Sequence, residues 1–235
     1  MKKINIAQIG VGYWGKNLLR NFYSHPNVNL KVLVDKSPKV LEKLKNQYPN
    51  ISLSDDANSV FKDQSIDAVI ISTPAFTHHE LSIKALNAKK HIFVEKPLAM
   101  NIKQVNDIEN ASMKNKCKVM VGHTFIYNNA VRYIKKLIDN DDLGHIRYIY
   151  AQRVNLGKIR SDVNAMWNLA PHDLSIIQYW LNNIKCKKIN YFGMDYTQDG
   201  IDDVSFINIE YPNKILANVH VSWLDPIKIR KITVI

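Results

Sequence analysis

Short apolar runs, each followed by a segment with helical spacing, restrict the first half of this chain to very few folds. The runs are Ile4–Ile9, Leu30–Val34, Asp67–Ser72, His91–Val94 and Lys118–Val121. The helical segments between and after them are Trp14–Tyr23, Pro38–Gln47, Asp55–Phe61, Thr77–Ala88 and Asn101–Lys114. The run Asp-Ala-Val-Ile-Ile-Ser at Asp67–Ser72 is apolar at consecutive positions. Successive strand residues face opposite sides of a sheet, so such a run needs apolar cover on both faces. A one-sided antiparallel sheet would alternate instead. Residues 1–122 are therefore read as an α/β domain, a Rossmann-type doubly wound parallel sheet.

After residue 122 the rhythm changes. Asn129–Ile138 and Leu169–Trp180 have helical spacing, and His145–Val154 alternates as a strand does. Lys188–Phe192, Ser205–Tyr211, Ile215–Trp223 and Ile229–Ile235 follow as strands, with turns at Asp199-Gly200 and Pro212-Asn213. Residues 123–235 are thus expected to form an α+β domain with a mostly antiparallel open sheet. The sequence stops inside the last strand, so this domain is expected to be incomplete and the chain a piece of a longer protein. An open sheet face has to be covered, which points to a homodimer or homotetramer through the second domain.

Lys and Arg total 32 against 21 Asp and Glu, a formal charge of +11, which raises nucleic acid as a partner. The arginines are Arg20, Arg132, Arg147, Arg153, Arg160 and Arg230, and the remaining basic residues are lysines scattered among Asn and Ile. No arginine stripe interleaved with aromatics is present, so the charge points to solvated faces and to steering of an anionic small molecule rather than to nucleic acid. Met1-Lys2-Lys3 looks like the start of a signal peptide, yet Asn5 and Gln8 interrupt the apolar run behind it. No apolar run approaches the ~18 residues of a membrane span. Cys117 and Cys186 lie far apart without a CxxC, which suggests reduced thiols and a cytoplasmic protein. The histidines show no metal-ligand spacing, so no metal is expected.

Gly10-Val11-Gly12-Tyr13-Trp14-Gly15 is a G-x-G-x-x-G that follows a strand and opens a helix. Asp35 closes the second strand, about 20 residues further on as in dinucleotide-binding fingerprints. Gly10 permits the tight turn, Gly12 lets the backbone approach a pyrophosphate, and Gly15 lets helix and strand pack closely. The helix N-terminus faces the phosphate charge. Asp35 accepts hydrogen bonds from a ribose diol and repels a 2′-phosphate, so NAD is preferred, with NADP kept open by Lys36 and Ser37 beside it. An S-adenosylmethionine fold also carries a Gly-rich first turn, but it does not account for the motifs that follow.

Those motifs are Ser72-Thr73-Pro74 with His78 just beyond, and His-Ile-Phe-Val-Glu-Lys-Pro-Leu-Ala ending on Glu95, Lys96 and Pro97. With the N-terminal fingerprint they resemble the Gfo/Idh/MocA family, the relatives of glucose-fructose oxidoreductase and inositol dehydrogenase. The later segments Val121–Ile138 and Arg153–Asp173 are similar to the family's passage into its substrate domain and to its nucleotide-sugar branch from surface-polysaccharide pathways. The resemblance implies that Thr73, Pro74, His78, Glu95 and Lys96 join Gly10, Gly12, Tyr13, Trp14, Gly15 and Asp35 at the cofactor, with Glu95 toward the nicotinamide ribose. It further implies that Lys96 faces the reacting hydroxyl of a sugar or nucleotide sugar and that His172 is the substrate-domain base.

Physically, Lys96 is a proton donor placed where an alkoxide would develop, and a lysine taken partly out of water can also exchange that proton. Many family members carry Asp four residues before the histidine; here that position is Asn168, and Asp173 follows His172. An amide stabilises an imidazolium less than a carboxylate does, so either Lys96 or His172 takes the proton. Arg153 and Arg160 suit a sugar diphosphate, Asn155, Asp162, Asn164 and Asn168 suit hydroxyls, and Trp167 suits stacking. Two functions remain in view at this point: hydride transfer between nicotinamide and a sugar hydroxyl or ketone, and a dinucleotide-binding sensor or interaction protein without redox chemistry.

Overall fold

The computed structural model describes residues 3–157 and 159–235, so Met1, Lys2 and Lys158 lie outside it. The chain divides into two compact units, Met1–Gly122 and His123–Ile235.

In the first unit β1 (Ile4–Ile9), β2 (Val28–Val34), β3 (Ser52–Ser54), β4 (Ala68–Ile71), β5 (His91–Val94) and β6 (Val119–Val121) form a single sheet. Its order is β3-β2-β1-β4-β5-β6 and every neighbouring pair is parallel. The helices are α1 (Gly15–Ser24), α2 (Pro38–Gln47), α3 (Ala57–Lys62), α4 (His78–Asn87) and α5 (Ile102–Asn115).

Alternation along the strands explains the double winding. Ile6 and Ile70 pack with Leu18, Leu19 and Leu44 of α1 and α2 on one face. Ala7, Val69 and Ile71 pack with Val60, Phe61, Leu86 and Ile108 of α3, α4 and α5 on the other. Each fully buried Val, Leu or Ile stabilises the unit by ~1.5–3 kcal/mol relative to exposure. Asn101 caps α5, its side chain accepting the Gln104 N–H at 2.9 Å. β3 is an addition to the sequence expectation. It has three residues, Ser-Leu-Ser, and pairs at the sheet edge with β2 alone, too short for a periodicity signal.

The second unit holds α6 (Asn129–Asp139), β7 (Tyr148–Leu156), α7 (Ala165–Trp180), β8 (Lys188–Met194), β9 (Val204–Glu210), β10 (Leu216–Ser222) and β11 (Leu224–Val234). The sheet order is β11-β7-β10-β9-β8; β7 and β10 run parallel and the other pairs antiparallel. One face is core: Ile149, Ala151, Ile207, Val219 and Val221 pack with Ile177 and Trp180 of α7. The Trp180 indole donates to the Val131 carbonyl at 2.9 Å and ties α7 to α6.

The opposite face is open. Phe192, Phe206 and Leu216 are exposed, and the Phe206 ring stacks on His220 at 4.3 Å. α7 begins four residues before the expected Leu169, because Asn164 caps it by accepting the Trp167 N–H at 2.9 Å. Pro171 lies inside this helix rather than near its start. The cap and the buried Ala165 and Ala170 outweigh the backbone bond that the proline removes. Among the described residues no helix is long and apolar enough to cross a membrane.

Candidate active site

The first unit concentrates its polar chemistry at the carboxyl end of the parallel sheet. Gly10 has φ +89°, and a Cβ there would lie 2.7 Å from the Ser72 carbonyl oxygen. A Cβ at Gly15 would lie 2.6 Å from the Gly10 carbonyl oxygen, so helix α1 reaches the turn only because that side chain is missing. The turn is also propped from below. Buried Gln8 donates from Nε2 to the carbonyls of Gly10 (2.9 Å) and Gly15 (2.8 Å), and the Ser72 hydroxyl donates to Gly10 at 2.7 Å. Gln8 and Ser72 were not expected at the site; a glutamine among apolar neighbours, just before the glycine turn, was the available signal.

Asp35 is fixed by backbone. Its Oδ2 accepts the Val11 N–H at 2.8 Å and its Oδ1 the Ser37 N–H at 2.9 Å. Each oxygen keeps a lone pair for a further donor such as a ribose hydroxyl. A cavity of about 580 Å³ opens beside it, lined among others by Gly12, Asp35, Thr73, Pro74, Phe76 and Leu81. At Gly12 a Cβ would meet nothing within 4 Å, so the backbone faces open space where a pyrophosphate would approach. This volume and this donor set fit the adenosine half of NAD. Tyr13 is 95% exposed, its side chain in solvent rather than against the cavity.

Glu95 and Lys96 directly follow β5. Glu95 is buried; its Oε1 accepts the Trp14 indole N–H at 2.8 Å and its Oε2 lies 3.3 Å from the Lys96 N–H. Burial pushes its carboxyl above the usual glutamate value, while Trp14 and Lys96 act in the opposite direction. Gly122, after β6, was missed by the sequence reading: a Cβ there would lie 2.9 Å from Glu95 Oε1. Lys96 is half-buried and its peptide bond to Pro97 is cis.

His78 requires a correction. It was expected against the cofactor, but it is 1% exposed, with Nδ1 2.7 Å from the Pro97 carbonyl and Nε2 2.9 Å from the Thr73 carbonyl. It joins the Thr73 loop to the Lys96-Pro97 turn instead of reaching a ligand. Burial pulls its pKa down, opposed by the two carbonyls.

The second unit carries the other expected residues. Arg153 also requires a correction: it was expected to bind a substrate phosphate, yet it is 5% exposed and paired at both ends with buried Asp173, Nε–Oδ2 and Nη2–Oδ1 each 2.8 Å. Its guanidinium lies 4.5 Å from the Phe125 ring centre, and Phe125 meets the His172 ring edge-on at 4.9 Å. Arg153 and Asp173 therefore brace the aromatic wall of His172. Asn164 is the α7 cap rather than a free amide. Arg160 and Asp162 form a two-bond pair at 2.8 and 2.6 Å, which raises the arginine pKa further and leaves the guanidinium less free than expected. Asn155, Trp167, Asn168 and His172 are half-buried, the last three on α7.

Residues 4–123 match the family model described as the oxidoreductase family with an NAD-binding Rossmann fold, and residues 131–235 match the GFO/IDH/MocA C-terminal domain. The 2,7-anhydro-N-acetylneuraminate hydratase of Escherichia coli K12 is 27% identical over 230 residues, covering 92% of this chain and 61% of that protein. The chain thus spans about three fifths of that relative's length. Two solved structures share the fold at 18% identity and cover 100% of this chain. GenD2 from gentamicin A biosynthesis, in complex with NAD, superposes with a TM-score of 0.92 over 69% of its own chain. The WlbA dehydrogenase of Bordetella pertussis, in complex with NADH and UDP-GlcNAcA, does so with a TM-score of 0.91 over 71%.

Proposed function

The chain belongs to the Gfo/Idh/MocA oxidoreductase family, and from that premise we propose that it is an NAD-dependent dehydrogenase or reductase acting on a sugar CH–OH group, with nucleotide sugars as the substrate class. The observation that carries this reading is the Trp14–Glu95 bond, which joins the dinucleotide turn to the turn bearing Lys96. Bound NAD would supply the acceptor for the carbinol hydride. Lys96 or His172 takes the hydroxyl proton as the C–H electron pair leaves, and the carbinol becomes a carbonyl. In the reverse direction the same group returns the proton to the developing alkoxide. Gly12, the α1 N-terminus and Asp35 hold the dinucleotide, while Gln8, Ser72 and His78 keep its two loops in place.

The UDP-sugar in the WlbA complex supports the nucleotide-sugar class. A second reading rests on the Escherichia coli relative's name, which describes a hydratase. Net addition or loss of water leaves no reduced nicotinamide behind. Incubating the chain with NAD and a panel of UDP-sugars and acidic sugars separates these readings. Reduced-nicotinamide absorbance supports the dehydrogenase; a product differing by one water without that absorbance supports the hydratase; nucleotide binding without any product supports a sensor. We also propose that the open face bearing Phe192, Phe206 and Leu216 is covered by a second copy of the chain. A monomer in sedimentation would remove that assignment.

A further inference from the structure

The Trp14–Glu95 bond has a second consequence, which rests on the dinucleotide reading above. In the order β3-β2-β1-β4-β5-β6, Asp35 at the end of β2 marks the adenosine side. Gly12 and the α1 N-terminus mark the pyrophosphate. The second nucleoside then lies across β1, over the ends of β4 and β5, since ligands cross a doubly wound sheet at the switch point. Glu95 directly follows β5, so its carboxylate borders the nicotinamide subsite.

A carboxylate there interacts differently with the two redox forms of the cofactor. The oxidised nicotinamide ring carries a positive charge and the reduced ring carries none, so an ionised Glu95 favours the oxidised form. Whether Glu95 is ionised depends on what faces it. From the turn at the start of α1 comes the Trp14 indole N–H at 2.8 Å; from its own turn come the Lys96 N–H and ammonium; from the end of β6 comes Gly122, which has no side chain. Lys96 is the one charged group acting on it among the described residues. Burial opposes ionisation and the indole bond supports it, so the balance is set at Trp14.

We propose that Trp14 is a cofactor-form specificity residue: its indole bond holds Glu95 as a carboxylate and so biases the site toward oxidised over reduced nicotinamide. The dehydrogenase reading uses the Trp14–Glu95 bond only to join two turns; this assigns Trp14 a role in which redox form the protein holds. A hydrogen bond to a charged group biases ionisation by roughly tenfold or more.

The test measures dissociation constants of NAD and NADH by calorimetry across a pH series that starts near the ordinary glutamate value and runs upward. The proteins are the wild-type chain, Trp14→Phe and Glu95→Gln, each checked for a cooperative melt. In the wild type the preference for NAD over NADH grows with pH as Glu95 ionises. In Trp14→Phe that growth moves to higher pH, and at a fixed pH within the rise the preference falls, by up to about tenfold. In Glu95→Gln the preference is low and flat. An unchanged preference in Trp14→Phe, or an equal loss of both affinities, overturns the proposal. Should Trp14→Phe fail to fold, Glu95→Gln decides, because a preference that still grows with pH removes Glu95 as its source. A wild-type chain that binds neither nucleotide contradicts the cofactor site itself, a separate failure.

Discussion

Lys96→Met will bind NAD with an affinity within about threefold of wild type and turn over the sugar found by the panel ~10²–10⁴-fold more slowly. The methionine keeps the length and apolar stem of the lysine and removes the ammonium. The dinucleotide contacts assigned to Gly12, Asp35 and the α1 N-terminus lie elsewhere on the sheet end, so the loss falls on kcat. The bond from Trp14 to Glu95 is untouched, although Glu95 loses a nearby positive charge. Steady-state kinetics with calorimetric NAD binding checks this. A kcat within tenfold of wild type would assign proton transfer to His172; a matching loss of NAD affinity would make Lys96 a cofactor ligand.

Asp173→Ala should destabilise the chain by ~3–5 kcal/mol, because it leaves the Arg153 guanidinium buried without its counter-charge. For a domain of this size that is a fall of ~10 °C or more in melting temperature. Replacing the pair together, Arg153→Met with Asp173→Leu, should recover most of the loss, since a buried ion pair is costly to break and cheap to exchange for apolar groups. Activity should not return with stability: Arg153 packs on Phe125, and Phe125 packs on His172. Thermal melts of both variants decide the first claim. A single-variant loss under about 1 kcal/mol would show that water reaches the pair and that it braces nothing.

These two cases also show where the sequence was informative. Asp67–Ser72 declared the parallel sheet because strand alternation is local, and two-faced burial follows from a run of neighbours. The glycine turn and Asp35 were legible for a similar reason, each position being constrained by its own segment. Arg153 misled, because an arginine reads alike whether it meets a phosphate or a carboxylate twenty residues away on another element. Gly122 was silent because its meaning is a collision with Glu95, reached through the pairing of β5 with β6. His78 was read as a cofactor contact, since nothing in a histidine shows that both ring nitrogens face main-chain carbonyls. α7 begins earlier than expected because Asn164, read as a ligand, caps it.

The central claim is that a sugar carbinol hydride passes to nicotinamide held by the first unit while Lys96 or His172 handles the proton. A single turnover with a candidate sugar carrying deuterium at its carbinol carbon, mixed with stoichiometric NAD, tests it most directly. The account predicts deuterium on the nicotinamide ring. Bound NAD that gains no deuterium while the sugar is converted would contradict it.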